Sequence, residues 1–498
     1  MIPVRELPMV FLIEKQNILV HARGRMTPFE TDFWQRLRKE LNGQGYELWL
    51  IGHHLAQQPM EVPLIKAPNG LDAFPRADIN TGWSSWLPLT GTLNENELLE
   101  CEGIWWGAPT TPAQKEGRRR ALYYFKNFYT SVLKVIKPVL TVIWNGHHPQ
   151  EIILDGLCRE SGCQLVYIER GPFYGTIQVD KSGVLGGSTV ATESSWKWQS
   201  AAEQSRWLAT MDEIISRYAT KRATWWEQPQ TAGPDSVRKR FNIRPDTKVV
   251  LFAGQVDEDI QSILYSPLFP TNLSALKWLC ESVKGDETVF ILGKQHPKSS
   301  TPIASYQSIL DGRGFWVDDV SLEDCLSVAD RVVAVNSTVL QEALMVGKPT
   351  LSMGTSLLTG KHICYEVSSL FDVNVISDWL EAKGFPERYE KWRDFSAYLL
   401  AHSLFTMCTD AESLSQRGAK ELAECLSSMA TTGSQCSFEN LAFDSALIYF
   451  MENICASGQI ASIPSLATTG TSAASAYEVA HPGPLKTIID ALRFFRIR

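Results

Sequence analysis

Four short stretches place chemistry-bearing side chains directly after an apolar run. In AGQVDEDIQS (253–262), Gln255 is followed by Asp257, Glu258 and Asp259 on one turn. Three neighbouring acids repel unless a cation, a ligand or a proton relieves them, which marks the turn for function. Asp257-x-Asp259 has the spacing of a Mg²⁺-holding pair; alternatively, one carboxylate attacks an anomeric carbon and forms a covalent glycosyl-enzyme. In GKQHPKSS (293–300), His296 is fixed by Pro297 and flanked by Lys294 and Lys298, so a protonated or donating imidazole there meets a departing phosphate. RVVAVNSTVLQEALMVGKPTLSMG (331–354) sets Asn336, Ser337 and Thr338 at the start of a helix that should stop at Gly347 before Pro349. Thr338 with Gln341 reads as a capping box, and the helix start offers amides and hydroxyls to a phosphate. In many proteins such residues only cap a helix. In YIERGPFYG (167–175), Glu169 is placed to act as a general base on an acceptor hydroxyl, or merely pairs with Arg170; upstream, WNGHHPQ (144–150) adds Asn145, His147 and His148 as acceptor contacts.

The elements that must position these residues follow a β-α rhythm. YELWLIG (46–52), VLTVIWNG (139–146) and CQLVYIERG (163–171) alternate with helical stretches in the first half. KVVLFAGQ (248–255), ETVFILGKQHP (287–297), GFWVDD (314–319), RVVAVNST (331–338) and PTLSMG (349–354) repeat the pattern in the second. Continuous apolar strands separated by helices make parallel sheets covered on both faces, with ligands at the strands' carboxyl ends. The expected fold class is therefore α/β, two Rossmann-like lobes with a C-terminal extension. The boundaries read as an acceptor-side lobe (1–220), a Pro/Gly-containing linker (221–237), a nucleotide-sugar-binding lobe (238–430) and an extension (431–498).

A chain of 498 residues accommodates two such lobes, and its net charge of −8 excludes a general nucleic-acid binder, which needs a basic surface. Ten cysteines without a Cys-x-x-Cys pair read as reduced core thiols, and the N-terminus lacks the apolar region of a signal peptide, so a cytoplasmic location is expected. Residues 456–484, rich in Ser, Thr, Ala and Gly, read as a flexible linker. LKTIIDALRFFRIR (485–498) reads as an amphipathic basic helix, either an anchor on the inner face of the cytoplasmic membrane or a helix docked on the core.

The ensemble resembles the capsule polysaccharide β-Kdo transferases, retaining enzymes of GT-B-like architecture that use CMP-β-Kdo. The resemblance rests on Glu169 with Gly171, Gln255-x-x-x-Asp259, His296-Pro297, Asn336-Ser337-Thr338, Glu342-Ala343-Leu344 and Gly347-Lys348-Pro349, across residues 139–354. It implies that Asp259 is the nucleophile, that Glu169 has acid-base duty, and that His296, Ser337 and Thr338 hold the CMP phosphate. Gln255, Lys294, Pro297, Asn336 and Glu342 complete the donor-binding set, with Asn145 and His147 on the acceptor side. CMP leaves as a monophosphate ester, whose smaller charge a helix start and a histidine can meet, so no metal or other cofactor is expected. The implied partners are the CMP-sugar donor and a lipid-linked or growing polysaccharide. Two other readings stand beside it: an inverting sialyl- or polysialyltransferase-like enzyme in which Glu169 activates the acceptor directly, and a non-catalytic glycan-binding component of capsule assembly. The sequence pattern after the cleft glutamate, Arg170-Gly171-Pro172, departs from the family.

Overall fold

The computed structural model describes residues 15–22, 28–52, 62–66, 98, 111–220, 227–256, 259–407 and 418–431. The linker and helix read at 456–498 lie outside them, as do Asp257, Glu258 and residues 221–226.

The first lobe contains β1 (Gln16–His21), β2 (Tyr46–Gly52), β3 (Leu64–Lys66), β4 (Pro138–Trp144), β5 (Gln164–Arg170) and β6 (Thr176–Asp180). Its order is β3-β2-β1-β4-β5-β6, parallel through β5, with β6 antiparallel to it and Glu169 paired with Gln178. The second lobe contains β7 (Lys248–Ala253), β8 (Val289–Lys294), β9 (Gly314–Val317), β10 (Arg331–Ala334), β11 (Thr350–Ser352) and β12 (Tyr365–Glu366), all parallel in the order β12-β11-β10-β7-β8-β9. In each sheet the strand order reverses once, between β1 and β4 and between β7 and β10. Helices leave in opposite directions at such a reversal, and the gap opens a crevice at the carboxyl ends of those strands.

Local chemistry explains the elements that flank the crevices. Helix Pro112–Ile136 begins with a complete capping box between Thr111 and Gln114 and has Pro112 in its first turn. It ends at Lys137, whose left-handed conformation (φ 51°) hands the chain to Pro138 and β4. Alternate residues of β1 and β4 face two cores. Ile18, Val20, Leu140 and Val142 meet Phe33, Trp34 and Leu37 on one side, while Leu19 and Ile143 meet Phe125, Tyr129 and Leu154 on the other. Full burial of each such side chain is worth about 1.5–3 kcal/mol. Between the lobes, Trp207 and Met211 of helix Ala201–Thr220 pack with Leu340, Leu344, Trp392 and Phe395.

The lobes differ from the sequence reading at both boundaries. Helix Pro234–Arg240, which starts inside the expected linker and runs past its end, belongs to the second lobe: Asp324 accepts the Ala232 and Gly233 amides, and Val237 joins that lobe's core. At the other end, helix Phe385–His402 leaves the second lobe and lies against helix Ala201–Thr220, where Asp394 accepts the Trp196 and Trp198 indoles and the Gln204 amide. The chain then forms β13 (Leu404–Thr406), antiparallel to β6, and helix Ala419–Thr431 packs on helix Pro28–Gly43. Residues 404–431 therefore complete the first lobe, not the second as 238–430 implied. The sheet of that lobe has seven strands.

Candidate functional site

The two crevices carry the candidate residues. At the first lobe's reversal, β4 ends in a turn where Asn145 (φ 65°) and Gly146 (φ 87°) are both left-handed. Asn145 Nδ2 donates to Glu169 Oε2 at 2.8 Å, and the Arg170 amide donates to Glu169 Oε1 at 2.8 Å. Both oxygens of the β5 carboxylate are thus held. His147 lies beside them, with its ring edge-on to Tyr265 of the second lobe at 6.0 Å between centroids. Burial pushes its imidazole down to about 4, so it is neutral at physiological pH.

At the second lobe's reversal, Gln255 follows β7 and is pinned by Asn272, which accepts the Gln255 amide at 3.1 Å and donates to its carbonyl at 2.7 Å. Asp259 starts helix Ile260–Tyr265: its Oδ1 accepts the Gln261 amide at 2.9 Å. Burial raises the Asp259 carboxyl above its usual range, the Gln261 amide lowers it, and the charge of Glu169 raises it again. Tyr265 of the Asp259 helix meets His147, on the turn whose Asn145 binds Glu169, so the two acids lie on adjoining elements of the two lobes. Asn336, after β10, donates through Nδ2 to the Gln261 carbonyl at 2.8 Å, so the 336–338 turn and the Asp259 helix are one unit. Beneath Tyr265, Gly186 of the first lobe leaves only 2.8 Å between an added Cβ and the phenol ring. The lobes therefore meet at close range beside the acids.

His296 follows β8, next to β7, and its Nδ1 accepts the Lys298 amide at 3.0 Å. The remaining ring proton is then on Nε2. Burial, Lys294 and Lys298 push this imidazole down to about 4, so the ring is neutral at physiological pH. Pro297 is exposed beside it.

Three expectations are corrected. Thr338 makes no side-chain cap: it is exposed and helical, Ser337 Oγ instead accepts the Val339 amide at 3.3 Å, and Gln341 is buried against the Trp392 indole. The C-terminal half of that reading holds, with Gly347 at φ 69° and its amide on the Leu344 carbonyl. Lys294 is turned inward and donates to the Gln295 and Asp318 carbonyls, which its buried ammonium requires. Glu342 accepts the Tyr218 hydroxyl of helix Ala201–Thr220, a bond between helices. Among the described residues no group of three or more His, Cys, Asp or Glu is arranged to hold a metal ion, and no helix is long and apolar enough to cross a membrane. The buried thiols Cys158, Cys163, Cys280, Cys325 and Cys364 are unbridged.

Sequence reasoning missed Glu151, which is 7% exposed in the first turn of helix Pro149–Ser161. Its Oε2 accepts the Gly146 amide at 2.8 Å and the His148 amide at 3.1 Å, and its Oε1 lies 4.0 Å from Nδ1 of buried His21 at the end of β1. His21 Nε2 meets the Tyr129 hydroxyl at 2.9 Å. Burial raises the Glu151 carboxyl to about 8 against the pull of those amides, and Glu169 adds to the rise. The signal was present: an acid three residues after a turn, with Pro149 between, is the reach-back half of a capping box.

Two Rossmann-like lobes joined at their carboxyl-end crevices, with one acid from each, make a GT-B-like architecture. Residues 207–397 match the model of the family described as capsule polysaccharide biosynthesis protein, in keeping with the resemblance read from the sequence. The protein FixF of Sinorhizobium fredii is 23% identical over 272 residues, 52% of this chain and 59% of that protein. The chain thus spans less than two thirds of this relative. Among solved structures, the β-Kdo 2,7 transferase of Thermosulfurimonas dismutans KpsC is 16% identical at a TM-score of 0.38, covering 68% of this chain and 97% of that one. The β-Kdo 2,4 transferase of the same protein is 14% identical at 0.36, covering 52% and 79%.

Proposed function

We propose that the protein is a retaining glycosyltransferase that moves Kdo from CMP-β-Kdo to a glycan acceptor in bacterial capsule or O-antigen synthesis. The observation that carries the reading is the contact of Tyr265, at the end of the Asp259 helix, with Gly186 and His147 of the first lobe, which sets that helix against the turn that binds Glu169. The Asp259 carboxylate attacks the anomeric carbon, and the bond to the CMP phosphate oxygen breaks with its electron pair leaving on CMP. The His296 Nε2–H and the turn Asn336–Thr338 receive the leaving phosphate. In the second step the acceptor hydroxyl attacks the same carbon, Glu169 takes its proton, and Asp259 is released as carboxylate. Two inversions give net retention. Gln255 supports the donor side, and Asn145 and His147 face the acceptor. In this reading the acceptor is a lipid-linked or growing polysaccharide.

One observation favours an inverting alternative with a CMP-sialic-acid-type donor, in which Glu169 activates the acceptor directly: an Asp259 oxygen already serves as a helix cap. Intact mass after incubation with freshly generated CMP-Kdo and no acceptor separates the two. The wild type should gain one Kdo residue and Asp259→Asn none. Absence of an adduct, with CMP released only when acceptor is added, refutes the double displacement and leaves direct transfer.

A further inference from the structure

Glu169 is the cleft acid, yet the residue that fixes its surroundings sits behind it. Glu151 Oε2 takes both amides that flank His147, those of Gly146 and His148. These bonds close the turn in which Asn145 and Gly146 adopt left-handed conformations, and Asn145 Nδ2 delivers its hydrogen bond to Glu169 from that turn. An asparagine tolerates this conformation but does not choose it unaided. Packing adds to the constraint: a Cβ at Gly146 would lie 2.8 Å from the Tyr167 ring.

We propose that Glu151 is a positioning residue for the transfer reaction, a carboxyl clamp on the 145–148 turn that sets Asn145 onto the Glu169 carboxylate. This rests on the reading of Glu169 as the acid-base group. The groups facing Glu151 are His21 from β1, Tyr129 from helix Pro112–Ile136, Glu169 from β5, and His147 and His148 on its own turn. None of the Glu151 bonds above forms a proton path to Glu169, because backbone amides stand between the two carboxyls. The coupling is therefore through geometry. A neutral carboxyl still accepts both amides, more weakly than a carboxylate would, and the raised proton affinity of Glu151 spares Glu169 a second negative charge behind it.

The test compares Glu151→Gln, Glu151→Ala, Asn145→Ala, the double variant Glu151→Ala/Asn145→Ala, and Glu169→Gln in the full chain, with CMP-Kdo and a glycan acceptor. Glutamine keeps an oxygen for both amides, so its kcat should stay within about 3-fold of wild type. Alanine should lower kcat by about 10- to 100-fold, the scale on which misplacing a reacting group acts, with KM for the donor unchanged. The double variant should be no worse than the poorer single one. Hydrogen exchange at the 146 and 148 amides should quicken in Glu151→Ala and stay as in wild type in Glu151→Gln; this readout needs no activity. Equal loss in the glutamine and alanine variants overturns the clamp in favour of a charge role. Multiplying losses in the double variant show that Glu151 does not act through Asn145 and also overturn it. An active Glu151→Ala beside an inactive Glu169→Gln overturns the proposal alone. An active Glu169→Gln removes the reading on which it rests.

Discussion

Replacing Glu151 with glutamine should change how stability depends on pH. Burial pushes the carboxyl up to about 8 in the fold, whereas it ionises near the ordinary glutamate value of 4.5 when the chain unfolds. Between those values the native state binds more protons than the unfolded one, so stability falls as pH rises. The contribution is whole below 4.5 and is lost as pH passes through the folded value. Each pH step in that window is worth about 1.36 kcal/mol, so from pH 5 to pH 8 the wild type should lose roughly 3–4 kcal/mol through this one group. Glutamine has no proton to lose and keeps an acceptor for the Gly146 and His148 amides. The variant should therefore gain on the wild type across that range. Urea unfolding midpoints of both proteins at pH 5, 6.5 and 8 measure the gap, and titrations common to both cancel in the difference. A gap that stays constant, or one that widens in favour of the wild type above pH 7, would refute the argument that burial dominates at Glu151.

Two further outcomes follow from packing. Gly146→Ala forces a Cβ to 2.8 Å from the Tyr167 ring at φ 87°, which should cost about 1–3 kcal/mol and appear as a lowered melting temperature together with reduced transfer. Asp394→Ala removes the acceptor shared by Trp196, Trp198 and Gln204. At about 0.5–1.5 kcal/mol for each bond the loss should reach roughly 2–4 kcal/mol, read from thermal unfolding followed by tryptophan fluorescence.

The strands that hold the site were legible because they are almost wholly apolar. LTVIW and VVLFA are fully buried and VFILG nearly so, and the polar residues that follow them mark the strand ends. The acids and the asparagine turn fell where the strand ends put them. What the sequence concealed depends on distant partners. Gln341 looks like half of a cap until Trp392, 51 positions on, takes its oxygen. Lys294 resembles a phosphate ligand, but the strand's last residue points inward. Glu151 shows its reach back to the turn before Pro149, but nothing local reveals its burial beside His21 of β1 and Glu169 of β5. The three residues of β13 are too few to announce a strand, so the return of the chain to the first lobe was not foreseen.

That return has a consequence for the order of synthesis. When the ribosome has made the first 220 residues, β6 is still an unpaired edge and Phe33, Trp34 and Leu37 lack the apolar cover that Leu422 and Leu426 bring. The second lobe, continuous in the chain, can close first. The earliest-made lobe is thus the last to be completed, and it waits with an adhesive strand exposed while the other half is translated.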